Sequence, residues 1–274
     1  IRSSIPGYFC PHNRLNRIFV SLFFHLYLPM KFFKVILFIL LFISPSNANT
    51  IYNLIKIPNL EIYKSKSSNN VKYLKAVKPF QVGIRNDNVT CFNSKDKTIN
   101  ENFNIIEKNL DSYTSNFLKK INLKYIVLCE NLTVSEISSA GVPNHKMRTL
   151  IIDLKFNKNF FERILHHEIF HLIYDTHRNL FKDDEWSKIN KKNFKYASCS
   201  TCSDKLNLSV LDNTEGFLTE YSMTTPSEDM AEVFSFLIAK KKIIKKKALN
   251  DLILNKKISY IKKNILKIDK NFKF

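Results

Sequence analysis

A short histidine-rich stretch constrains the fold of this chain more than any other feature of its sequence. The segment RILHHEIFHLIYDTH, Arg163 to His177, holds four of the chain's seven histidines. His167, Glu168 and His171 form the pattern H-E-x-x-H on a stretch with helical apolar spacing. Positions i and i+4 share one helix face, so both imidazoles can reach a single cation, and Glu168 projects beside them as a base toward water. The alternative is a helix with satisfied core histidines, but burying two imidazoles and a carboxylate without a cation would be costly.

Such a site would need one more ligand, because a catalytic zinc ion takes three ligands from the protein and keeps one position open. His177 is one candidate, since it lies six residues after His171, as in the metzincin pattern H-E-x-x-H-x-x-G-x-x-H. That pattern relies on glycine for a turn with positive φ, and this chain has Tyr174 at that position. Tyrosine favours continuation of the helix, which would carry His177 away from the metal.

Glu228 is the second candidate for the third ligand. Pro226 suits the first turn of a helix in which Glu228 and Glu232 lie four residues apart on one face. Glu228 could close the site from this second helix, and Glu232 could accept an N–H from a ligating histidine and fix its tautomer. The competing interpretation, two solvated carboxylates, fits poorly with the apolar residues of the same helix: Met230, Val233, Phe234 and Leu237.

Three segments, HHEIFH, DDEWSKIN…NFKY and GFLTEYSMTTPSEDMAEVF, give the chain a resemblance to a known family. They resemble the gluzincin (HExxH…E) zinc metallopeptidases and, more narrowly, the bacterial "putative zinc-binding metallopeptidases". At the site they are similar to the catalytic domain of anthrax lethal factor. The similarity covers residues 148–242. It implies one zinc ion and six site residues: the ligands His167, His171 and Glu228, the general base Glu168, the oxyanion donor Tyr221, and Glu232 behind the ligands.

The remaining pattern predicts an α+β domain with few turns, since the chain has four glycines and eight prolines. The resemblance adds a zincin-like metallopeptidase fold over residues 76–242, with a small sheet, an active-site helix and a helical C-terminal part. Residues 49–75 are polar and lysine-rich, which predicts a poorly ordered lead-in. The predicted strands are Lys78–Arg85, 124–129 and Arg148–Leu154, and the predicted helices are Asn102–Lys120, Asn159–Asp175 and Pro226–Lys242.

The last two of these strands are separated by a predicted loop that contains Gly141 and Pro143. The strand Arg148–Leu154 is expected to form the edge of the sheet. An extended substrate would then bind to this edge by main-chain pairing.

The N-terminal region is expected to be a leader rather than part of the fold. The segment MKFFKVILFILLFISPSNA has a basic start, an apolar core and a small-residue end, which is the form of a secretory signal peptide over residues 30–48. Residues 1–29 are predicted to be an upstream extension. This organisation predicts export, either periplasmic or secreted. The alternative is an uncleaved membrane anchor that joins Ile18–Leu28 to the same apolar run, which two lysines interrupt.

Four cysteines follow the predicted leader, and an even number permits disulfides in an exported chain. Cys91 and Cys129 are expected to form a structural disulfide. Cys199 and Cys202 form a C-x-x-C pair, which suits either a local disulfide or half of a small metal site. The sequence leaves the role of this second pair open.

The formal charge of +19 is distributed in a way that argues against nucleic acid as a partner. Residues 240–274 hold thirteen lysines and two aspartates, so +11 of the charge lies in the last thirty-five residues. No loop interleaves aromatic and basic residues for base stacking. Residues 243–274 predict a basic amphipathic C-terminal helix that packs on the domain, with peripheral membrane contact as the alternative.

Together these features predict an exported zinc-dependent endopeptidase that acts on a peptide or protein substrate, with metal-activated water and Glu168 as general base. An opposing interpretation is a non-catalytic, metal-stabilised binding domain. Within the peptidase class, the alternative is a metzincin-type enzyme that uses His177 as its third ligand.

Overall fold

The computed structural model describes residues 55–83 and 88–274. The predicted extension, signal peptide or anchor, and the first part of the lead-in therefore lie outside the described residues. Across the described part, eight strands and seven helices confirm the predicted α+β class. No helix within these two ranges is both long and apolar enough to cross a membrane.

The centre of the fold is a layer of five strands. In spatial order they are β1 (Leu60–Lys64), β2 (Lys72–Ala76), β5 (Tyr125–Val134), β8 (Thr149–Asp153) and β7 (Gly141–Asn144). The three inner strands run parallel, and an antiparallel strand flanks them on each side. All five residues of β8 are buried, as expected for a parallel strand covered on both faces.

The length of β5 lets the sheet curl. Its first half pairs with β2 and β8, and its second half pairs with β4 (Val89–Phe92) and β6 (Ile137–Ser138). The short strand β3 (Phe80–Val82) completes this part by pairing with β4. A disulfide joins β4 to β5 through Cys91 and Cys129, with Cα atoms 6.0 Å apart, which confirms the predicted pairing.

The helices cover one face of the five-stranded layer. Side chains on this face, among them Tyr73, Leu128 and Ile152, join the helices in the main hydrophobic core. The opposite face packs on β3, β4 and the segment before β1 in a second core. The helices are α1 (Asp96–Leu110), α2 (Ser115–Lys120), α3 (Lys158–Thr176), α4 (Asp183–Ser187), α5 (Pro226–Ala239), α6 (Lys241–Ala248) and α7 (Leu252–Ile268).

Helices α3 and α5 pack against each other, and α3 also contacts β7. The helices predicted at Asn159–Asp175 and from Pro226 are confirmed with small differences in their ends. Helix α5 ends at Ala239 rather than Lys242, because Lys240 leaves helical geometry with φ −129° and ψ 45°. The helix predicted at Asn102–Lys120 is two helices, and the second starts at the Thr114 cap.

The predicted lead-in over residues 49–75 is wrong for its described part. Strands β1 and β2 lie largely within it, and Ile55, Leu60 and Tyr73 are buried. The strands are short and carry several lysines, so the sequence shows no clear alternation of apolar and polar residues. Lysine stems can lie along the sheet while their ammonium groups reach water.

The predicted edge strand is also wrong. The strand predicted at Arg148–Leu154 is β8, and it lies between β5 and β7. The outer position belongs to β7, a segment that its glycine and proline had marked as a loop. Proline is compatible with an edge strand, where one side of the backbone has no ladder partner to lose.

The C-terminal region is not a single helix over 243–274. Helices α6 and α7 are separated at Leu249–Asp251, where Asp251 caps α7 by accepting a hydrogen bond from Leu254 N–H. One stripe of α7, which includes Ile261 and Ile265, is fully buried in the main core. The region therefore packs on the domain along its apolar face.

Candidate metal centre

Helix α3 holds the residues of the H-E-x-x-H motif in a fixed orientation. The Asn157 side chain caps its first turn by accepting a hydrogen bond from Asn159 N–H. Apolar side chains around the motif, such as Ile169 and Phe170, are fully buried and fix the rotation of the helix. His167 and His171 therefore point toward α5 together, with ring centroids 4.9 Å apart.

Helix α5 brings Glu228 to the same point from the opposite side. Thr225 caps this helix by accepting from Glu228 N–H, and Pro226 occupies the first turn, where its missing N–H is not needed. One carboxylate oxygen of Glu228 lies 2.9 Å from His167 Nε2 and 3.2 Å from His171 Nε2, and the two Nε2 atoms are 3.1 Å apart. Within the described part of the chain, these three side chains are the ones grouped closely enough to hold a metal ion.

The chemistry of these donor atoms fits a zinc ion. His167 Nδ1 lies 2.9 Å from Glu232 Oε1, and a carboxylate can only accept, so Nδ1 carries the hydrogen. In neutral His167 the Nε2 atom then directs a lone pair at the Glu228 oxygen. Two imidazole nitrogens and a carboxylate oxygen thus face one point, which is favourable only with a cation between them. Ligand atoms in a tetrahedral zinc site with bonds of about 2.0–2.1 Å are about 3.3 Å apart, close to the separations observed.

The pKa values of His167 and Glu228 also indicate a site for a positive charge. Burial lowers the pKa of His167, but the carboxylates of Glu228 and Glu232 overcome this and raise it to about 10. Burial raises the pKa of Glu228, yet the imidazoles of His171 and His167 lower it well below its ordinary value. A metal-free site therefore holds a proton where a metal ion would bind.

Glu232 lies behind the histidines in a buried polar network. Its carboxylate accepts from His167 Nδ1, from Arg163 at 2.5 Å and from the Thr219 hydroxyl at 2.8 Å. Burial raises the pKa of Glu232, but Arg163 and His167 bring it below its ordinary value, so the group stays ionised. An ionised acceptor fixes the tautomer of His167 and leaves its Nε2 free to act as a ligand.

Glu168 interacts electrostatically with all three donors and lies against the edge strand β7 at Gly141. Burial raises its pKa, while the neighbouring His167 and His171 oppose that rise. The strand approaches closely because Gly141 has no side chain: a Cβ atom there would lie 2.8 Å from Glu168 Cγ. A carboxylate with a raised pKa, next to a cation site and an open strand edge, is well placed to accept and return a proton.

Tyr221 lies in a 3₁₀ turn, Tyr221–Met223, directly before α5. Its ring centroid is 5.9 Å from that of His167. Burial, together with the charges of Glu228 and Glu168, raises the pKa of Tyr221, so the hydroxyl keeps its proton and can donate it in a hydrogen bond.

The other two histidines of the motif stretch face elsewhere. His166 is buried between the Tyr113 hydroxyl at 2.6 Å and Asn109 Oδ1 at 3.0 Å, and burial lowers its pKa to about 3. His177 ends α3, and its Nδ1 pairs with the Thr176 hydroxyl at 2.8 Å. Neither belongs to the group formed by His167, His171 and Glu228.

Cys199 and Cys202 form a disulfide with Cα atoms 5.1 Å apart. The interpretation as half of a metal site is therefore wrong, because both sulfur atoms are used in the S–S bond.

Three residues that shape the site were not predicted from the sequence: Arg163, Thr219 and Gly141. Arg163 lies four residues before His167 and so shares its helix face, but its partner Glu232 comes from another helix. Gly141 and Thr219 are brought to the site by tertiary folding, and no local pattern marks them.

A match to a protein-family model is consistent with a metal site in this region. Residues 144–271 match a protein-family model described as "Putative zinc-binding metallo-peptidase", and this range contains both histidines and Glu228. Among solved structures, a "putative zinc-binding metallo-peptidase" from Bacteroides caccae ATCC 43185 is similar, with 18% sequence identity and a TM-score of 0.43. The match covers 83% of this chain and 88% of that one. No curated protein matches the chain.

Proposed function

We propose that this protein is an exported zinc-dependent endopeptidase of the gluzincin type, with a zincin-like fold. The observation that carries the proposal is the convergence of His167 Nε2, His171 Nε2 and one Glu228 oxygen on a single point, with Glu168 beside it. Three protein donors leave one coordination position open, as catalytic zinc sites do. The match of residues 144–271 to a zinc-binding metallopeptidase model points to the same class.

His167, His171 and Glu228 would hold the zinc ion, which supplies a Lewis acid that acidifies water and polarises a carbonyl group. Glu168 would take the proton from the attacking water and deliver it to the leaving amine. Its raised pKa suits both steps, because the group must bind the proton and then release it. Tyr221 would donate a hydrogen bond to the carbonyl oxygen as negative charge develops there.

The edge strand β7 offers the substrate a place to bind. Within the described residues β7 pairs only with β8, so its other edge has no strand partner. The Gly141 carbonyl accepts from the Ser139 hydroxyl at 2.8 Å and Pro143 has no N–H, so an added strand would pair with the remaining backbone groups of this edge. An extended peptide paired with β7 would pass Glu168, because Gly141 brings that strand into contact with it. Binding by main-chain pairing on both sides of the scissile bond favours internal cleavage, hence an endopeptidase.

Two features support export. The leader over residues 30–48 has the form of a signal peptide. Both pairs of cysteines after it form disulfides, which persist in oxidising compartments.

The competing class is a metal-stabilised binding domain without catalysis. Structural zinc sites are usually closed by four protein ligands, whereas three donors converge here. The presence of Glu168 beside an open position also favours catalysis.

The test is a comparison of zinc content and peptide cleavage in the full chain and one variant. Glu168→Gln should keep about one zinc ion per chain and lose about 100-fold or more of its turnover, since general acid–base catalysis contributes about 10²–10⁴-fold. A zinc chelator should abolish cleavage by the wild type. Glu162→Gln is the matched control, because Glu162 lies on the same helix and pairs with Lys240 away from the site. Chelator-resistant cleavage, or wild-type turnover in Glu168→Gln, would contradict the proposal.

A further inference from the structure

The Cys199–Cys202 disulfide lies in a loop next to the candidate site. It closes a ring between residues three positions apart. Cys202 is exposed and Cys199 is partly exposed, whereas Cys91 and Cys129 are fully buried. Of the two disulfides, this one is therefore the one that solutes can reach.

Both ends of this loop are tied to the turn that carries Tyr221. On the entry side, Ala197 N–H donates to the Thr224 carbonyl at 2.8 Å. On the exit side, Tyr221 N–H donates to the Asn207 carbonyl at 3.2 Å. Between these anchors, the Ser200 hydroxyl faces the Tyr221 side chain and opposes the burial-driven rise in the pKa of Tyr221. Ser200 is one of the two residues enclosed by the disulfide ring, so the ring fixes its position directly.

We propose that the Cys199–Cys202 disulfide is a redox modification site that controls the position of the Tyr221 hydroxyl through Ser200. Its natural co-reactant would be a dithiol, for example the paired cysteines of a thiol–disulfide exchange protein. The proposal rests on the proposed peptidase function, in which Tyr221 stabilises the transition state.

The redox step follows ordinary thiol–disulfide exchange. A thiolate of the dithiol attacks the sulfur of Cys202, the more exposed of the two residues, the S–S bond breaks, and Cys199 leaves as a thiolate that takes up a proton. The second thiol of the partner then attacks the mixed disulfide and releases Cys202. In total two electrons and two protons pass to the protein, and the partner becomes a disulfide. The buried Cys91–Cys129 bond gives no access to such a partner.

Reduction removes the constraint on Ser200 but leaves the metal ligands untouched. The freed loop no longer holds the Ser200 hydroxyl against Tyr221, and Tyr221 loses its fixed orientation. A donor that acts mainly on the transition state affects kcat rather than substrate binding. We expect kcat to fall about three- to tenfold, the effect of one hydrogen bond, with KM and zinc content nearly unchanged.

The experiment uses the full-length, zinc-loaded protein with and without tris(2-carboxyethyl)phosphine, which reduces a disulfide to two thiols and becomes a phosphine oxide with oxygen from water. Alkylation and mass spectrometry should show that Cys199 and Cys202 are free and that Cys91 and Cys129 are not. Reduction should lower kcat in the wild type and should have no further effect in Cys199→Ser/Cys202→Ser, which lacks the bond. Reoxidation should restore the wild-type rate.

Two further variants separate positioning from general loosening. Ser200→Ala should reproduce the loss in kcat without any reductant, whereas Thr201→Ala, in the same ring, should not. In Tyr221→Phe, reduction should change kcat no further, because the group that the loop positions is already gone. A kcat that stays unchanged after proven opening of the disulfide, or an equal effect of reduction in Tyr221→Phe, would overturn the proposal.

A readout independent of activity keeps this test separate from the peptidase hypothesis. Hydrogen exchange of the backbone around Tyr221 should become faster on reduction, because its N–H is bonded to the loop at Asn207. Suppose that the oxidised protein cleaves peptide, but reduction changes neither the hydrogen exchange around Tyr221 nor kcat. That result would overturn the redox proposal and leave the peptidase function intact. If the oxidised protein cleaves no peptide, the peptidase function fails, and unchanged exchange would then overturn the control of Tyr221 as well.

Discussion

His167 is the residue on which the candidate site depends most, because each of its ring nitrogens faces a different glutamate. Nδ1 donates to Glu232 at 2.9 Å, and Nε2 lies 2.9 Å from Glu228. Arg163 holds Glu232 in its ionised form from the far side. The chain Arg163–Glu232–His167 thus prepares one lone pair for a cation, and without a cation the ring takes up a proton.

We expect zinc binding at pH 7 to release about one proton from the metal-free protein. Burial lowers the pKa of His167, but the two carboxylates raise it to about 10, so the ring is protonated at pH 7. A ligating imidazole must be neutral, so the proton competes with zinc. The apparent zinc affinity should therefore rise about tenfold per pH unit between pH 7 and 9.

Calorimetric titration in buffers of different ionisation enthalpy measures this proton release. Glu232→Gln is the control, because the loss of one carboxylate lowers the pKa of His167 and should reduce the number of protons released. A binding enthalpy that does not depend on the buffer would show that His167 is already neutral.

The identity of the third ligand gives a second prediction at this scale. Glu228→Ala should lose zinc, because Glu228 supplies one of three converging donors. Glu232→Ala should keep zinc with an affinity about 10–100-fold weaker, the usual effect of removing the partner of a ligand. His177→Ala should bind zinc normally, since its ring pairs with Thr176. Zinc titration against a competing chelator measures all three, and loss of zinc in His177→Ala with retention in Glu228→Ala would favour the metzincin alternative.

Much of the candidate site could be predicted from residue spacing. The pairs His167/His171 and Glu228/Glu232 each lie four residues apart, so a helix alone brings the members of each pair together. Arg163 could not be assigned in this way, because its role depends on which helix packs opposite. Only the packing of α3 on α5 shows that its guanidinium meets Glu232.

At the scale of elements, the strand β7 shows where sequence patterns fail. Gly141 and Pro143 are typical of a loop, yet both suit this strand: glycine allows contact with Glu168, and proline is tolerated at an edge. The helices α3 and α5 were predictable because apolar periodicity and caps act locally. The strands β1 and β2 were not, because five-residue strands with lysines gain their stability from neighbours in the sheet.

Gly141→Ala tests the contact between β7 and Glu168. The added Cβ atom would lie 2.8 Å from Glu168 Cγ and 3.1 Å from the Ile151 carbonyl, so Glu168 has to move. We expect zinc content to be unchanged and turnover to fall about 10–100-fold, because displacement of a catalytic group by about 1 Å can cost that much. Val142→Ala is the matched control on the same strand, since its side chain faces the second core. The control should lower stability without a comparable loss of turnover, and wild-type turnover in Gly141→Ala would contradict the assignment.

At the scale of the whole molecule, a buried polar network ties the long segment between α3 and α5 to the C-terminal helix. Asp229, the residue after Glu228, accepts from Trp186 Nε1 at 2.9 Å, from the Tyr196 hydroxyl at 2.5 Å and from Lys257 Nζ at 2.6 Å. Lys257 also donates to the Gly216 carbonyl at 2.7 Å. Three distant parts of the chain thus meet next to the helix turn that carries the proposed glutamate ligand.

Lys257→Met tests whether the C-terminal helix supports the site through this network. Both charges of the Lys257–Asp229 pair are fully buried, so loss of the ammonium leaves a carboxylate in the core without its counter-charge. We expect the free energy of unfolding to fall by about 3–5 kcal/mol, as in other broken buried pairs. Lys256→Met, at the exposed neighbouring residue, is the control. It should change the free energy of unfolding by less than about 0.5 kcal/mol.

The double variant Lys257→Met/Asp229→Asn tests whether the loss of stability in Lys257→Met arises from the unpaired buried charge of Asp229. A neutral amide at position 229 can still accept from Trp186 and Tyr196, so it removes the buried charge and keeps those two bonds. We expect the double variant to regain part of the stability that Lys257→Met loses, measured by urea unfolding of the zinc-saturated proteins. If Asp229→Asn lowers the free energy of unfolding by the same amount in Lys257→Met as in the wild type, the two side chains act independently. The C-terminal helix would then support the site only through its apolar stripe, because the Lys257–Asp229 pair would contribute nothing of its own.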